Sequence, residues 1–350
     1  MSFSPFDHPI LSGLLGDDET ARHFSAAAEI EAMLVFERAL AEAEADEGVI
    51  EREEADAVIA ALKTFKPDMA GLRAGVGQDG VVVPELVRQL RTAIGKPHEK
   101  AVHFGATSQD VIDTGLILRL KPAIAHLDAT LSDVIDRLAG VEARFGDRYL
   151  MGRTRMQAAI PITVADRVRS WRDPLVRHRR RLDEQRRELL VVQFGGAAGT
   201  LEKLGDKGAG VRAALAAKLQ LGDAPQWHSQ RDRLADFASL LSLIAGSLGK
   251  FGQDVALMAQ TGGEIELKGG GGSSAMPHKQ NPVAAEVLVA LARFNATQLS
   301  GMHQALVHEQ ERSGAAWTLE WLILPQMVAA TAAALRQAKA LAGQIEAIGS

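Results

Sequence analysis

Between Pro225 and Pro277, and again between Pro282 and Pro325, no proline interrupts the chain. Proline inside a helix removes a hydrogen bond and crowds the preceding turn. Each proline-free interval therefore leaves room for a helix well beyond the average of roughly 11–12 residues. Apolar side chains fill the first interval at helical spacing: Leu234, Phe237, Leu240, Leu241, Ile244, Leu248 and Phe251. Val283, Val287, Leu288, Leu291, Phe294 and Leu299 do the same in the second. Two more long segments follow the pattern, one from about Asp110 to Phe145 and one from Ile162 to about Leu190. Pro122 is expected to bend or interrupt the first, and Pro174 to kink the second. Helices of this length bury their stripes by packing side by side, so the expected fold is all-α, an elongated bundle. Composition agrees, since aromatics are only 5% of residues while Ala and Leu abound.

The first hundred residues read differently, with shorter helical stretches separated by Pro67, Gly71, Gly75, Gly77, Gly80 and Pro84. The expectation is a small N-terminal helical domain over 1–102 and a long-helix bundle over 103–350. Cysteine is absent, which excludes disulfides, thiolate metal sites and a cysteine nucleophile, and fits a cytoplasmic setting. The opening residues lack a basic stretch followed by an apolar one, and no run of eighteen apolar residues occurs. Neither a signal peptide nor a membrane span is expected. Nine arginines fall between Arg167 and Arg187, but Asp173, Asp183, Glu184 and Glu188 share the segment and Trp171 is its only aromatic. A solvated or subunit-contacting face with pairs at i,i+4 is expected there, and no nucleic-acid partner. His308 begins no HExxH motif, and His303 and His308 do not share a helix face, so no metal is expected.

The most unusual stretch is KGGGGSSAMPHKQNP, residues 268–282. Four glycines followed by Met276, His278, Lys279 and Asn281 suggest a lid carrying reactive groups rather than a plain linker. A phosphate loop fails on pattern: Lys279 follows His278 and precedes Gln280, and no strand signal comes before the glycines.

GSSAMPHKQNP at 272–282 resembles the signature loop of the fumarase/aspartase superfamily, whose members add or eliminate groups β to a carboxylate. GATSQDVIDT at 105–114 and GRTRMQAAIPIT at 152–163 resemble its two other blocks in the expected order, each placed at a helix end. PFDHPILSGLLGDDETARHFS, QRDRLADF and GAAWTLEW extend the likeness along most of the chain. Superfamily chains commonly carry a third, C-terminal helical domain, which the resemblance implies is reduced or absent here.

The chemistry builds a doubly charged intermediate beside a carboxylate, which preorganised donors and cations must stabilise. The resemblance implies Ser273 as the catalytic base, with Lys279 and Asn281 binding a substrate carboxylate. Met276 packs either on substrate or within the lid. Thr107 and Ser108 are implied as carboxylate donors, a role compatible with capping the following helix, and Gln109 joins them. Asp110 reads as a first-turn acid and Asp113 as structural. Thr154 and Gln157 of the second block, and His228 and Arg231 further on, are also implied near substrate.

One departure is informative. Many superfamily lyases place histidine after Gly-Arg-Thr as proton donor to the leaving group; here Arg155 stands there. Arginine stays protonated and cannot serve as a general acid. A carboxylate, with a pKa of about 4, leaves or attacks as an anion without needing one. The resemblance with Arg155 therefore implies the branch that cyclises a muconate tricarboxylate to a lactone in protocatechuate breakdown, with Arg155 clamping a carboxylate. A salt bridge at a helix end is the alternative for Arg155. No cofactor is implied, and the active sites would be shared within a homotetramer. A fumarate-releasing lyase such as one acting on adenylosuccinate is the rival enzyme reading, and a non-catalytic helical scaffold the rival of another class.

Overall fold

The computed structural model describes residues 4–272, 276 and 280–350. Twelve α-helices occur among them. Six come first: α1 (Ser12–Leu15), α2 (Asp18–Ala21), α3 (Ala26–Asp46), α4 (Arg52–Thr64), α5 (Met69–Asp79) and α6 (Val83–Ile94). Then follow α7 (Ser108–Phe145), the hairpin strands β1 (Tyr149–Thr154) and β2 (Gln157–Thr163), α8 (Val164–Leu189) and α9 (Gly208–Leu219). Finally come α10 (Asp232–Thr261), β3 (Ile265–Leu267), α11 (Val283–Gln304), α12 (Gly314–Gln344) and β4 (Ile345–Ile348).

The bundle is α7, α8, α10, α11 and α12. α10 packs on α8, α11 and α12, and α7 packs on α8, α12 and α3. The apolar stripe foreseen for α10 is the buried one, from Leu234 through Phe251, all at most 1% exposed. By length and composition alone α10 and α12 are apolar enough to cross a membrane, yet 61% of each such window is buried inside the protein. Their apolarity faces neighbouring helices. Trp171 of α8 packs on Phe251 of α10 with ring centroids 5.0 Å apart. Residues on both sides of His103 share this interior, because α3 packs on α7 and on α9.

The helix boundaries follow from caps. Thr107 and Thr163 cap α7 and α8, each in a box closed by an aspartate three residues on, and Ser313 caps α12 by accepting from the Ala316 N–H. The prolines interrupt less than expected: α7 runs on through Pro122, α8 through Pro174 and α12 through Pro325. Each costs one backbone hydrogen bond, but Leu120, Ala123 and Ile124 around Pro122 are fully buried. Packing of that face outweighs the local defect.

The arginines of α8 pair differently from the i,i+4 expectation. Arg180 meets Glu184 on its own helix, but Arg169 and Arg172 reach Glu142, and Arg179 and Arg186 reach Asp128, both on α7. Four of the nine arginines in the run therefore join two helices.

Two small strand pairs decorate one end of the bundle. β1 and β2 form an antiparallel hairpin, and β3 pairs antiparallel with β4. Both depart from the expectation: the second block is a hairpin ending on the start of α8, and a three-residue strand does precede the glycines.

Candidate active site

Thr107, as N-cap of α7, receives Asp110 on its backbone N–H at 3.0 Å. Asp110 does more than cap. Its carboxylate also accepts from the backbone N–H of Gly195 (2.9 Å) and of Gly196 (3.0 Å), from Gln193 Nε2 (3.2 Å) and from His228 Nε2 (2.8 Å). Five donors converge on one buried carboxylate, so the first block, the 193–196 segment and His228 form a single unit. With Asp110 as acceptor, the ring proton of His228 sits on Nε2. The 193–196 segment lies close against the block: Gly196 has φ +69°, and a Cβ there would stand 2.9 Å from the Gly105 carbonyl oxygen.

One turn along α7, Asp113 holds the guanidinium of Arg231 through NH1 at 2.6 Å and NH2 at 3.2 Å. Glu320 of α12 takes Nε at 2.9 Å and NH2 at 2.5 Å. Burial pulls the Arg231 pKa downward, but Asp113 and Glu320 outweigh it and leave the group above the ordinary arginine range. Trp317 Nε1 donates to Asp113 as well, and Trp227 lies under the guanidinium. Gln109 closes the network: its amide donates to Asp113 and to the His228 carbonyl, and its oxygen accepts from Arg312 Nε at 2.8 Å.

From sequence, Gln109, His228 and Arg231 are expected to face substrate. The structure buries their side chains instead, with the residues 0%, 1% and 2% exposed. In this chain they brace the block from behind, while Thr107 and Ser108 are the half-buried residues at the helix start. Asp110, Asp113, Glu320 and Arg312 were not foreseen as partners. An acid three residues after a threonine reads as a cap, which Asp110 is, and its other four bonds come from distant segments. Glu320 did carry a signal, as the one acid in the apolar run from Leu319 to Leu324.

The second block lies at the other end of α7. Thr154 pairs with Gln157 across the hairpin, leaving Arg155 and Met156 as a two-residue turn. Their φ values, +49° and +66°, are those of a type I′ turn, which favours Asn-Gly over long side chains. Two non-glycine residues held left-handed at a tip store of the order of 1 kcal/mol each. Thr154, Arg155, Met156 and Gln157 are all exposed.

Beneath the tip is a cavity of about 530 Å³ whose wall includes Arg153, Arg155, Arg167, Lys250, Asp254 and Glu264. Glu264 takes Arg153 at 2.5 Å, and Asp254 takes Lys250 together with Trp171 Nε1. Arg155 has no acidic partner among the described residues, so it is not closed in the salt bridge that was its alternative.

The glycine-rich strip leaves and rejoins the bundle at the same end. Gly271 and Asn281 exchange two backbone hydrogen bonds, each 2.9 Å. A Cβ on Gly271 would stand 2.5 Å from Val283 Cγ2, so the two legs meet only because that position is glycine. Asn281 lines a cavity of about 490 Å³ with Gly269, Gly270, Gln280, Gln337 and Gln344. Met276 is exposed. Ser273, His278 and Lys279 lie outside the described residues.

Arg231 near Asp113 marks one end of α10, and Glu264 beside Arg153 marks the other. The thirty-residue helix between them spans about 45 Å. In a single chain the second block and the neck of the strip thus share one end, and the first block sits at the opposite end.

A family profile described as "Lyase" matches residues 16–295. A 3-carboxy-cis,cis-muconate cycloisomerase of Pseudomonas aeruginosa is 44% identical over 331 residues, 92% of this chain and 72% of that protein. The crystal structure of a 3-carboxy-cis,cis-muconate lactonizing enzyme from Pseudomonas putida superposes with a TM-score of 0.92 at 41% identity, covering 97% of this chain and 78% of that one. That of a fumarate lyase from Mesorhizobium sp. BNC1 gives 0.87 at 35% identity, covering 94% and 76%. With its three blocks, its long-helix bundle and these likenesses, the chain belongs to the lyase family of the fumarase/aspartase superfamily.

Proposed function

We propose that the chain catalyses the cycloisomerisation of 3-carboxy-cis,cis-muconate to 4-carboxymuconolactone, in protocatechuate breakdown. The observation that carries the reading is Arg155, a permanent cation with no acidic partner among the described residues, at a strained tip over a cavity. A leaving group that needs a proton finds no donor in that side chain. A tethered carboxylate adding across a double bond needs none; it needs charge stabilisation and correct geometry. Arg155 holds one substrate carboxylate bidentately as the internal carboxylate attacks. Electron density then moves to the carbon beside another carboxylate, and Ser273 delivers the proton there. Thr107, Ser108, Lys279 and Asn281 hold the remaining acid groups, Gln109, His228 and Arg231 steady the first block, and Thr154, Gln157 and Met276 complete the walls. The reaction is an isomerisation, so nothing is oxidised or lost.

A site using all three blocks needs a second copy, since one chain holds the first block about 45 Å from the others. We place the copies antiparallel in a homotetramer, each lending its first block to the hairpin end of another. The exposed apolar side chains of the hairpin, Tyr149 (62%), Met156 (72%) and Ile160 (68%), suit such contact, because an isolated two-stranded hairpin is marginal in water.

The direct test incubates the purified protein with 3-carboxy-cis,cis-muconate and, separately, with adenylosuccinate, following ultraviolet absorbance. Consumption of the first supports the proposal. Consumption of the second alone makes the chain a fumarate-releasing lyase, and consumption of neither favours a scaffold. Shared sites predict that the impaired Thr107→Val and Arg155→Ala proteins regain activity when unfolded and refolded together; a mixture no more active than its parents rules sharing out.

A further inference from the structure

Arg167 is the arginine of the 167–187 run that the inter-helix pairing does not absorb and a cavity does. Arg169, Arg172, Arg179, Arg180 and Arg186 meet carboxylates, and Arg181 meets His178. Arg177 and Arg187 stand exposed. Arg167 is half-buried on the first turn of α8, and its recorded polar contact is with Met258 Sδ, at 3.8 Å from NH1. No carboxylate answers it among the described residues. A cation in the first turn also opposes the helix dipole, which favours acids there. A half-buried arginine kept in so unfavourable a setting is poised for an anion that arrives from outside.

That anion has a place to sit. Arg167 shares the wall of the 530 Å³ cavity with Arg155. Four cations (Arg153, Arg155, Arg167, Lys250) face two acids (Asp254, Glu264), and each acid is taken by one cation, leaving Arg155 and Arg167 unmatched. One guanidinium holds one carboxylate bidentately. Two unmatched guanidiniums therefore suit a ligand with at least two acid groups, and a third acid group is left to the other blocks.

Resting on the proposed cycloisomerase reading, we propose that Arg167 binds a second carboxylate of the substrate alongside Arg155 and sets the preference of the site for polycarboxylates over monocarboxylates. It is a specificity residue that touches substrate from the helix, where Arg155 touches it from the hairpin.

The test compares wild type with Arg167→Ala and Arg167→Lys, and with Arg169→Ala as a neighbouring control. Arg167→Ala should raise KM for 3-carboxy-cis,cis-muconate by about tenfold or more with kcat within about threefold, and Arg167→Lys should recover part of the loss. In the same proteins calorimetry reads Kd for tricarballylate, a saturated tricarboxylate, and for butyrate, a monocarboxylate. The first should weaken by about tenfold and the second by less than about threefold. An unchanged KM, an equal weakening of both ligands, or an equal effect in Arg169→Ala overturns the proposal. Inert wild-type protein would sink the cycloisomerase reading alone, because the calorimetric comparison still reads Arg167.

Discussion

The two ends of α10 solve opposite problems. At its start, Arg231 is buried between two acids, with Asp113, Glu320, Trp317 and Gln109 bonded into one network. At its far end Arg155 and Arg167 have no acidic partner among the described residues, the hairpin backbone is strained, and apolar side chains stand in solvent. The same residue type, arginine, fixes structure at one end and stays available at the other. A buried cation with both partners present defines one geometry, whereas removal of one partner is costly. The contrast assigns stability to the first end and recognition to the second, and it can be broken in four ways.

Arg231→Met should have the largest effect, removing about 3–5 kcal/mol of stability by leaving Asp113 and Glu320 buried without their cation. Urea denaturation reads it, and a loss below about 1 kcal/mol would mean that this end is no more rigid than the other. Arg155→Ala should do the reverse, lowering kcat/KM about a hundredfold while the melting temperature moves by less than about 2 °C. A large fall in melting temperature would show that the tip is a structural element.

Glu44, buried on α3 near Glu37, sharpens the contrast through pH. Burial, and then the charge of Glu37, push its pKa from near 4.5 up to about 9. The folded protein therefore keeps this proton over a range in which the unfolded chain has released it. Its contribution is most favourable below pH 4.5 and declines as pH rises toward 9. Glu44→Gln should raise the melting temperature by a few degrees at pH 8, at roughly 2–4 °C per kcal/mol in larger domains, with the gap closing toward pH 5. A gap independent of pH contradicts the assignment. Smallest of all, Met156→Gly should stabilise the hairpin end by about 0.5–1 kcal/mol, since glycine accepts the left-handed turn freely. A destabilised variant would show that the side chain, and not the backbone, governs the tip.

The bundle was legible because its evidence is local and repeated: each buried stripe recurs along one helix, and Leu234 to Phe251 could be read as a face. The hairpin was not, because its turn lacks Asn or Gly and Gln157, Ala158 and Ala159 favour helix. Contacts beyond the hairpin itself hold it, including the Arg153–Glu264 pair and the Tyr149–Ser350 backbone bonds. The site was half legible. The motif strings located the blocks, yet Asp110 as the centre of five hydrogen bonds depends on Gly195 and His228, more than eighty residues away in sequence. Spacing along one helix carries no trace of such a meeting. The short strand before the glycines escaped for a similar reason, since its partner is the segment after α12.

The neck between Gly271 and Asn281 gives residues 272–280 the standing of a cassette. The chain departs from and returns to one doorway, and beneath it α10 and α11 pack directly on each other. New chemistry can be written into that insert, in length as well as sequence, while the bundle beneath carries on folding as before.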